Sequence, residues 1–202
     1  MRDLIGDQLL VATHNAGKLE EIRALVAPFG VRVAGAADFG LDEPDETETT
    51  FLGNARIKAH AAARASGLPA LSDDSGIEID ALGGAPGVNT ADWADTGNGR
   101  DFVMAMTRAH REILDSGATP PWTARFCCTL VLATPDGDDQ VFPGVIEGQL
   151  VWPMRGDRGH GYDPVFLPDG YDVTFGEMDR WEKNRISHRA DAVAKFVAAC
   201  FG

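Results

Sequence analysis

The stretch from Arg125 to Ala133 is almost unbroken in apolar and β-branched residues. A strand written this way has no face to give to water, so it must lie inside a sheet covered on both sides. That requirement alone demands helices above and below. Helical stripes are present: Leu19, Ile22, Val26 and Phe29 recur on one face after a short apolar strand from Gln8 to Thr13. An alanine-rich helix follows the acidic loop Asp42 to Glu48 and ends near Gly67, and a third helix is expected from Arg100 to about Leu114. A terminal helix should run from Ser187 to Phe201, packing through Ala190, Val193, Ala194 and Val197. Further strands are expected at Val31 to Ala34 and at Tyr162 to Leu167. Val141 to Ile146 should pair with the central strand across the Asp136-Gly137 turn. The mixture points to an α/β fold around a mixed sheet. At 202 residues the chain fits one domain, 1–202, with room for two lobes.

The formal charge of -13 opposes general attraction to nucleic acid or to an anionic membrane. Any anionic substrate must therefore meet a local cluster of positive charge. No apolar run approaches the roughly 20 residues that span a bilayer, and Met1 to Gln8 lacks the features of a secretory signal, so a cytoplasmic location is expected. Cys127 and Cys128 are adjacent and Cys200 is remote, which suits neither a disulfide framework nor a zinc site.

Thr13-His14-Asn15-Ala16-Gly17-Lys18 closes a strand and opens a helix, leaving backbone N–H groups and the positive end of the helix dipole directed outward. Lys18 adds a full charge for a phosphate tail, and Asn15 another hydrogen bond or a plain helix cap. It is not a Walker loop, because Ala12 stands at the first glycine and Leu19 at the magnesium-binding hydroxyl. Asn54 and Lys58 lie one turn apart on the second helix, where a polar face could meet phosphate.

Asp73-Asp74-Ser75-Gly76 has turn composition, and the expectation is a hairpin with the carboxylates at its bend. Adjacent carboxylates need a cation or a raised pKa to be tolerated together. Magnesium binds oxygen ligands and typically takes one or two carboxylates plus substrate phosphates, which suits Glu46, Asp73 and Asp74. Neighbouring strand residues face different ways, so one acid can hold metal while the other orients water. Further along, His160 stands between Gly159 and Gly161 where its ring could stack on a base, and Asp163 could accept from a ring N–H. Lys183, Ser187, His188 and Arg189 gather donors that suit a 6-oxo purine and mismatch a 6-amino one.

These segments occur together and in order: Thr13 to Lys18, Phe51-Leu52-Gly53-Asn54-Ala55 through Lys58-Ala59, Ser72 to Gly76, Gly83 to Gly87, Gly161 to Pro164 and Ile186 to Arg189. As a set they closely resemble the inosine triphosphate pyrophosphatase family, over essentially the whole chain. The resemblance implies a two-lobed α/β fold with a long mixed sheet flanked by helices, a cleft between lobes, a homodimer and a Mg²⁺ requirement. The implied reaction converts ITP, dITP or XTP to monophosphate and pyrophosphate. It also implies that Asn15, Lys18 and Lys58 hold the triphosphate, that Glu46, Asp73 and Asp74 serve metal and water, and that Asp74 is the base. Thr13, His14, Asn54, Ser75 and Gly161 fall among the implied substrate contacts. His160, Asp163, Lys183, Ser187, His188 and Arg189 line the base and sugar-phosphate side, with Tyr162 structural. Two positions depart from the family pattern: His160 replaces the usual Phe, and Asp92-Trp93 stand where relatives often carry Arg and an aromatic. Two rivals remain, a related pyrophosphatase for modified pyrimidine or methylated nucleotides and a nucleotide-binding regulator without turnover.

Overall fold

The computed structural model describes residues 8–201; the start of the chain, where no secretory signal is expected, lies outside them up to residue 7. Six strands form one mixed sheet in the order β2-β1-β3-β4-β5-β6, with β1 Gln8–Val11, β2 Arg32–Gly35, β3 Ala70–Ile79, β4 Trp122–Ala133, β5 Asp139–Leu150 and β6 Phe166–Pro168. β1 runs parallel to β2 and β3, whereas β6 is antiparallel to β5. The helices are α1 Ala16–Val26, α2 Phe51–Ser66, α3 Phe102–Asp115, α4 Arg180–Ile186 and α5 His188–Phe201. The α/β class and mixed sheet expected from the sequence are what the chain builds. Among the described residues no helix is long and apolar enough to cross a membrane.

Two compact units emerge. The first takes the chain up to Asp74, Cys128–Gly144, and the segment from Arg189 onward; the second takes Ser75–Cys127 and Val145–His188. In the first, residue parity sorts each strand's side chains between two layers. Leu9, Val11, Leu71, Leu130 and Leu132 pack with Ile22 and Val26 of α1 and with Val193 and Phe196 of α5. Leu10, Ala70, Val131 and Ala133 pack with Ala55, Ala59, Ala62 and Ala63 of α2. The alanines let α2 approach closely, and Ser72 Oγ, on that same face, donates to the Ala55 carbonyl at 2.6 Å. The second unit is built on Ile77, Ile79, Phe126, Phe166 and Phe175, with Met106 and Ile113 of α3.

Three expectations need correction. The strand expected from Tyr162 to Leu167 is instead a short 3-10 turn over Asp163–Val165, followed by β6 at Phe166–Pro168. No bend occurs at Asp73-Asp74-Ser75-Gly76: β3 runs straight through them, with Asp73 and Asp74 buried. Turn composition is a local signal, and here distant cations satisfy the carboxylates and let the strand continue. The C-terminal segment also carries an extra helix. α4 is capped by Asp179, whose side chain accepts from the Trp181 amide at 2.9 Å, and it ends at Ser187 before α5 begins.

Candidate active site

Because β3 is extended, Asp73 and Asp74 point to opposite faces of the sheet. Asp73 shares its face with Leu71, toward α1 and α5. Asp74 shares its face with Ser72, toward α2.

On the first face, α1 begins at Asn15, whose side-chain oxygen caps the Lys18 amide at 3.1 Å, while Thr13 Oγ1 accepts from the Asn15 amide at 3.2 Å. The cap sets Lys18 in the first helical turn. Its Nζ reaches Asp73 Oδ2 at 2.9 Å. Arg189, at the start of α5, places Nη2 3.3 Å from the same oxygen and donates from Nη1 to Glu21 Oε2 at 2.5 Å. Burial alone would push the Asp73 carboxyl up, but Lys18, Arg189 and Lys58 outweigh it and hold it well below the usual carboxylate range. The surrounding cations favour the charged form of Asp73. Arg189 is correspondingly held above its usual value, with burial opposed by the negative charges of Asp73 and Glu21.

The second face is poorer in cations. Lys58 Nζ donates to Glu46 Oε1 and lies 3.8 Å from Asp74 Oδ1. Asn54 Nδ2 donates to Asp74 Oδ2 at 3.2 Å. Burial is the largest influence on Asp74; Lys58 and Asn54 counter it only in part and Glu46 adds to it, so the carboxyl is pushed up to about 6. A carboxyl there is ionised near neutral pH yet still basic enough to take a proton, the condition for a general base. Burial pushes the Cys128 thiol, on the face toward α1 and α5, up to about 12, so it stays a protonated core group. A pocket of about 150 Å³ opens beside Lys58, lined among others by Ala12, His14, Leu41 and Pro44.

Could this set hold magnesium? Among the described residues no three acid, His or Cys side chains converge as a closed metal cage. A magnesium site that completes itself with substrate phosphates needs only one or two carboxylates. Glu46 and Asp74 fit that description, since one ammonium already lies against both. Asp73 does not join them; its charge is matched by Lys18 and Arg189.

The second unit assembles a different group. Lys183 Nζ donates to Asp163 Oδ2 at 2.5 Å, and the same oxygen accepts the His160 backbone N–H at 2.6 Å. Gly159 has φ +79, and a Cβ there would overlap the Asp163 carboxylate, so this turn requires glycine. His160 is exposed, Asp163 and Ser187 are buried, and Tyr162 is buried edge-on to Phe102, ring centroids 6.3 Å apart. His188 stacks on Phe126 with centroids 5.0 Å apart. Arg189, expected among these donors, is engaged by Asp73 and Glu21 instead. Ser75 follows Asp74 on β3 and is partly buried. Glu21, which sequence reasoning passed over, lies three residues after Lys18 on the same helical face, a spacing that could have flagged it.

The family model for the Ham1 family matches residues 9–199. The chain belongs to the Ham1 family. Among its relatives, the dITP/XTP pyrophosphatase of Ruegeria pomeroyi is 72% identical over 98% of this chain and 97% of that protein. The dITP/XTP pyrophosphatase of Rhizobium meliloti is 54% identical over the full length of both. Of solved structures, a HAM1 protein from Coxiella burnetii superposes with a TM-score of 0.89 at 32% identity, covering 95% of this chain and 97% of that one. This Ham1-family chain thus matches those curated relatives over nearly their whole length and shares its fold with the Coxiella burnetii protein.

Proposed function

We propose that the protein hydrolyses non-standard purine nucleoside triphosphates, dITP and XTP with ITP, to the monophosphate and pyrophosphate, clearing them before they enter nucleic acid. The relatives' activity supports this, and one observation carries the chemistry: the buried Asp74 carboxyl, pushed up to about 6, lies 3.8 Å from Lys58, while Lys18 at the entrance of α1 pairs with the adjacent Asp73.

In the reaction, a water held at Asp74 attacks the α-phosphorus. The new bond joins the water oxygen to that phosphorus, the bond to the oxygen bridging toward the β-phosphorus breaks, and Asp74 takes the water's proton. Pyrophosphate leaves with that bridging oxygen. Lys18, the α1 N-terminus and Lys58 offset the phosphate charge, a local positive cluster in a chain of net charge -13. Glu46 and Asp74 would hold Mg²⁺, which when bound supplies further charge neutralisation for the phosphate oxygens. Lys183, Ser187 and His188 are assigned to the base, where donors favour the 6-oxo group over an amine. A homodimer and a cytoplasmic location belong to the same proposal; light scattering of the purified protein tests the first and fractionation of the source cells the second.

The deciding experiment incubates the purified protein with ITP, XTP, GTP and ATP, with and without Mg²⁺, and measures pyrophosphate and orthophosphate separately. Pyrophosphate from ITP and XTP, dependent on the metal, is expected. Orthophosphate alone would place attack at the γ-phosphorus and refute the reading.

A further inference from the structure

Asn54 lies in the first turns of α2 and is only 3% exposed, so little of it can meet a substrate. Both ends of its amide are engaged. Nδ2 donates to Asp74 Oδ2 at 3.2 Å, and Oδ1 accepts the backbone N–H of Glu48 at 3.0 Å. Glu48 closes the acidic loop, two residues beyond Glu46, the acid held by Lys58. One buried side chain therefore ties the strand acid to the loop that carries its partner acid.

The preceding residue completes the fastening. Gly53 sits inside a helix, where alanine would ordinarily be favoured by about 1 kcal/mol. A Cβ at Gly53 would stand 2.5 Å from Glu48 Cβ and 2.7 Å from its Cγ. The missing side chain is what lets the loop lie flat on α2, close enough for the Glu48 amide to reach Asn54. Thr50, whose hydroxyl accepts the Gly53 amide at 3.1 Å, caps the helix at the same point.

We infer that Asn54 is a positioning residue that holds Asp74 and the Glu46-bearing loop in one fixed arrangement, with Gly53 providing the space for that arrangement, and that it is not a substrate contact. The inference rests on the proposed role of Asp74 as base. Asn54 fixes one oxygen of that carboxyl, and the loop bond fixes how far Glu46 lies from it. A displacement of about 1 Å in such a site can cost on the order of 100-fold in turnover.

The test compares Asn54→Ala, Asn54→Asp and Gly53→Ala with the wild type, reading kcat and KM for ITP together with hydrogen exchange at the Glu48 amide. Alanine suits a helix at both positions, so these variants should fold. Asn54→Ala should lower kcat about 100-fold, leave KM within about threefold, and speed Glu48 exchange at least about tenfold. Asn54→Asp keeps an acceptor for the Glu48 amide but no donor for Asp74, so protection should survive while kcat still falls. Gly53→Ala should speed Glu48 exchange with Asn54 intact. A KM raised tenfold or more at unchanged kcat in Asn54→Ala would mark a substrate contact and overturn the inference, as would unchanged Glu48 exchange. Asp74→Asn, assayed in parallel, separates the two readings: full turnover in that variant, with Glu48 protection still lost in Asn54→Ala, removes the base and leaves the brace in place.

Discussion

The two faces of the sheet at Asp73 and Asp74 receive neighbouring carboxylates and treat them oppositely. Toward α1 and α5, Asp73 meets Lys18 and Arg189, and both cations lie within 3.3 Å of one oxygen. Toward α2, Asp74 has a neutral amide at bonding distance and a lysine at 3.8 Å that is already bonded to Glu46. Burial is nearly the same for the two acids, 3% and 6% exposed, so it cannot explain the difference. Charge supply does. An excess of cations makes a fixed anion that anchors structure, and a deficit makes a carboxyl whose proton can come and go.

The sharpest way to break that contrast is to remove the titrating acid. Asp74→Asn keeps the shape and the bond from Asn54 but cannot take a proton, so kcat for pyrophosphate release from ITP should fall by roughly 10²–10⁴-fold with KM little changed. Retained turnover at saturating Mg²⁺ would show the base lies elsewhere. The matching change on the other face should act on the fold instead. Asp73→Asn takes the shared anion from the half-buried Lys18 and Arg189, and although Glu21 still holds Arg189, a loss of about 1–3 kcal/mol is expected in urea unfolding. An Asp73→Asn protein as stable as wild type would mean the pair is not charge-saturated after all.

The same contrast has a pH signature. The Asp74 carboxyl is raised from 3.8 to about 6 in the folded chain, so folding disfavours its charged form. The cost is absent below pH 4, grows between pH 4 and 6, and is constant above, at roughly 3 kcal/mol if the whole rise is realised. Asp74→Asn should therefore be more stable than wild type at pH 8 in EDTA, with the advantage vanishing by pH 4. Asp73, held low, runs the other way: its contribution is present above pH 4 and fades as the pH falls below the ordinary carboxylate range. A flat difference between Asp74→Asn and wild type across pH 4 to 8 would remove the physical basis for the contrast.

What the sequence disclosed divides along the same line. The cap at Asn15, the helix ending near Gly67 and the apolar β4 are local patterns, and the structure has all three close to where periodicity and capping place them. That Asp73 and Asp74 face different ways also follows from strand geometry. Which acid would be the fixed one could not be read, because Arg189 arrives from a segment 116 residues away. The supposed bend at Asp73 failed for that reason: local composition suggested exposure, and the ion pairs that permit burial come from α1, α2 and α5. Asn54 and Lys58 were correctly placed on one face of α2, but the partner of the Asn54 carbonyl is the Glu48 amide, a backbone group with no sequence signature. α4 left a trace that periodicity overlooked, the Asp179 cap before a helix of 7 residues.

The smallest effects concern how the two faces are launched. α1 and α2 each begin at a side-chain cap, Asn15 accepting from the Lys18 amide and Thr50 from the Gly53 amide, both at 3.1 Å. Replacing either with alanine should cost about 1 kcal/mol of stability. Their functional consequences should differ. Asn15→Ala loosens the turn that carries Lys18 and the outward N–H groups, so it should weaken binding of the triphosphate and raise KM severalfold with kcat nearly intact. Thr50→Ala loosens the turn that seats the Glu46 loop through Gly53 and Asn54, so its effect should fall on kcat. Steady-state kinetics on ITP in the two variants checks this directly, and equal KM effects from both caps would mean that phosphate binding and acid placement are not divided between the two faces.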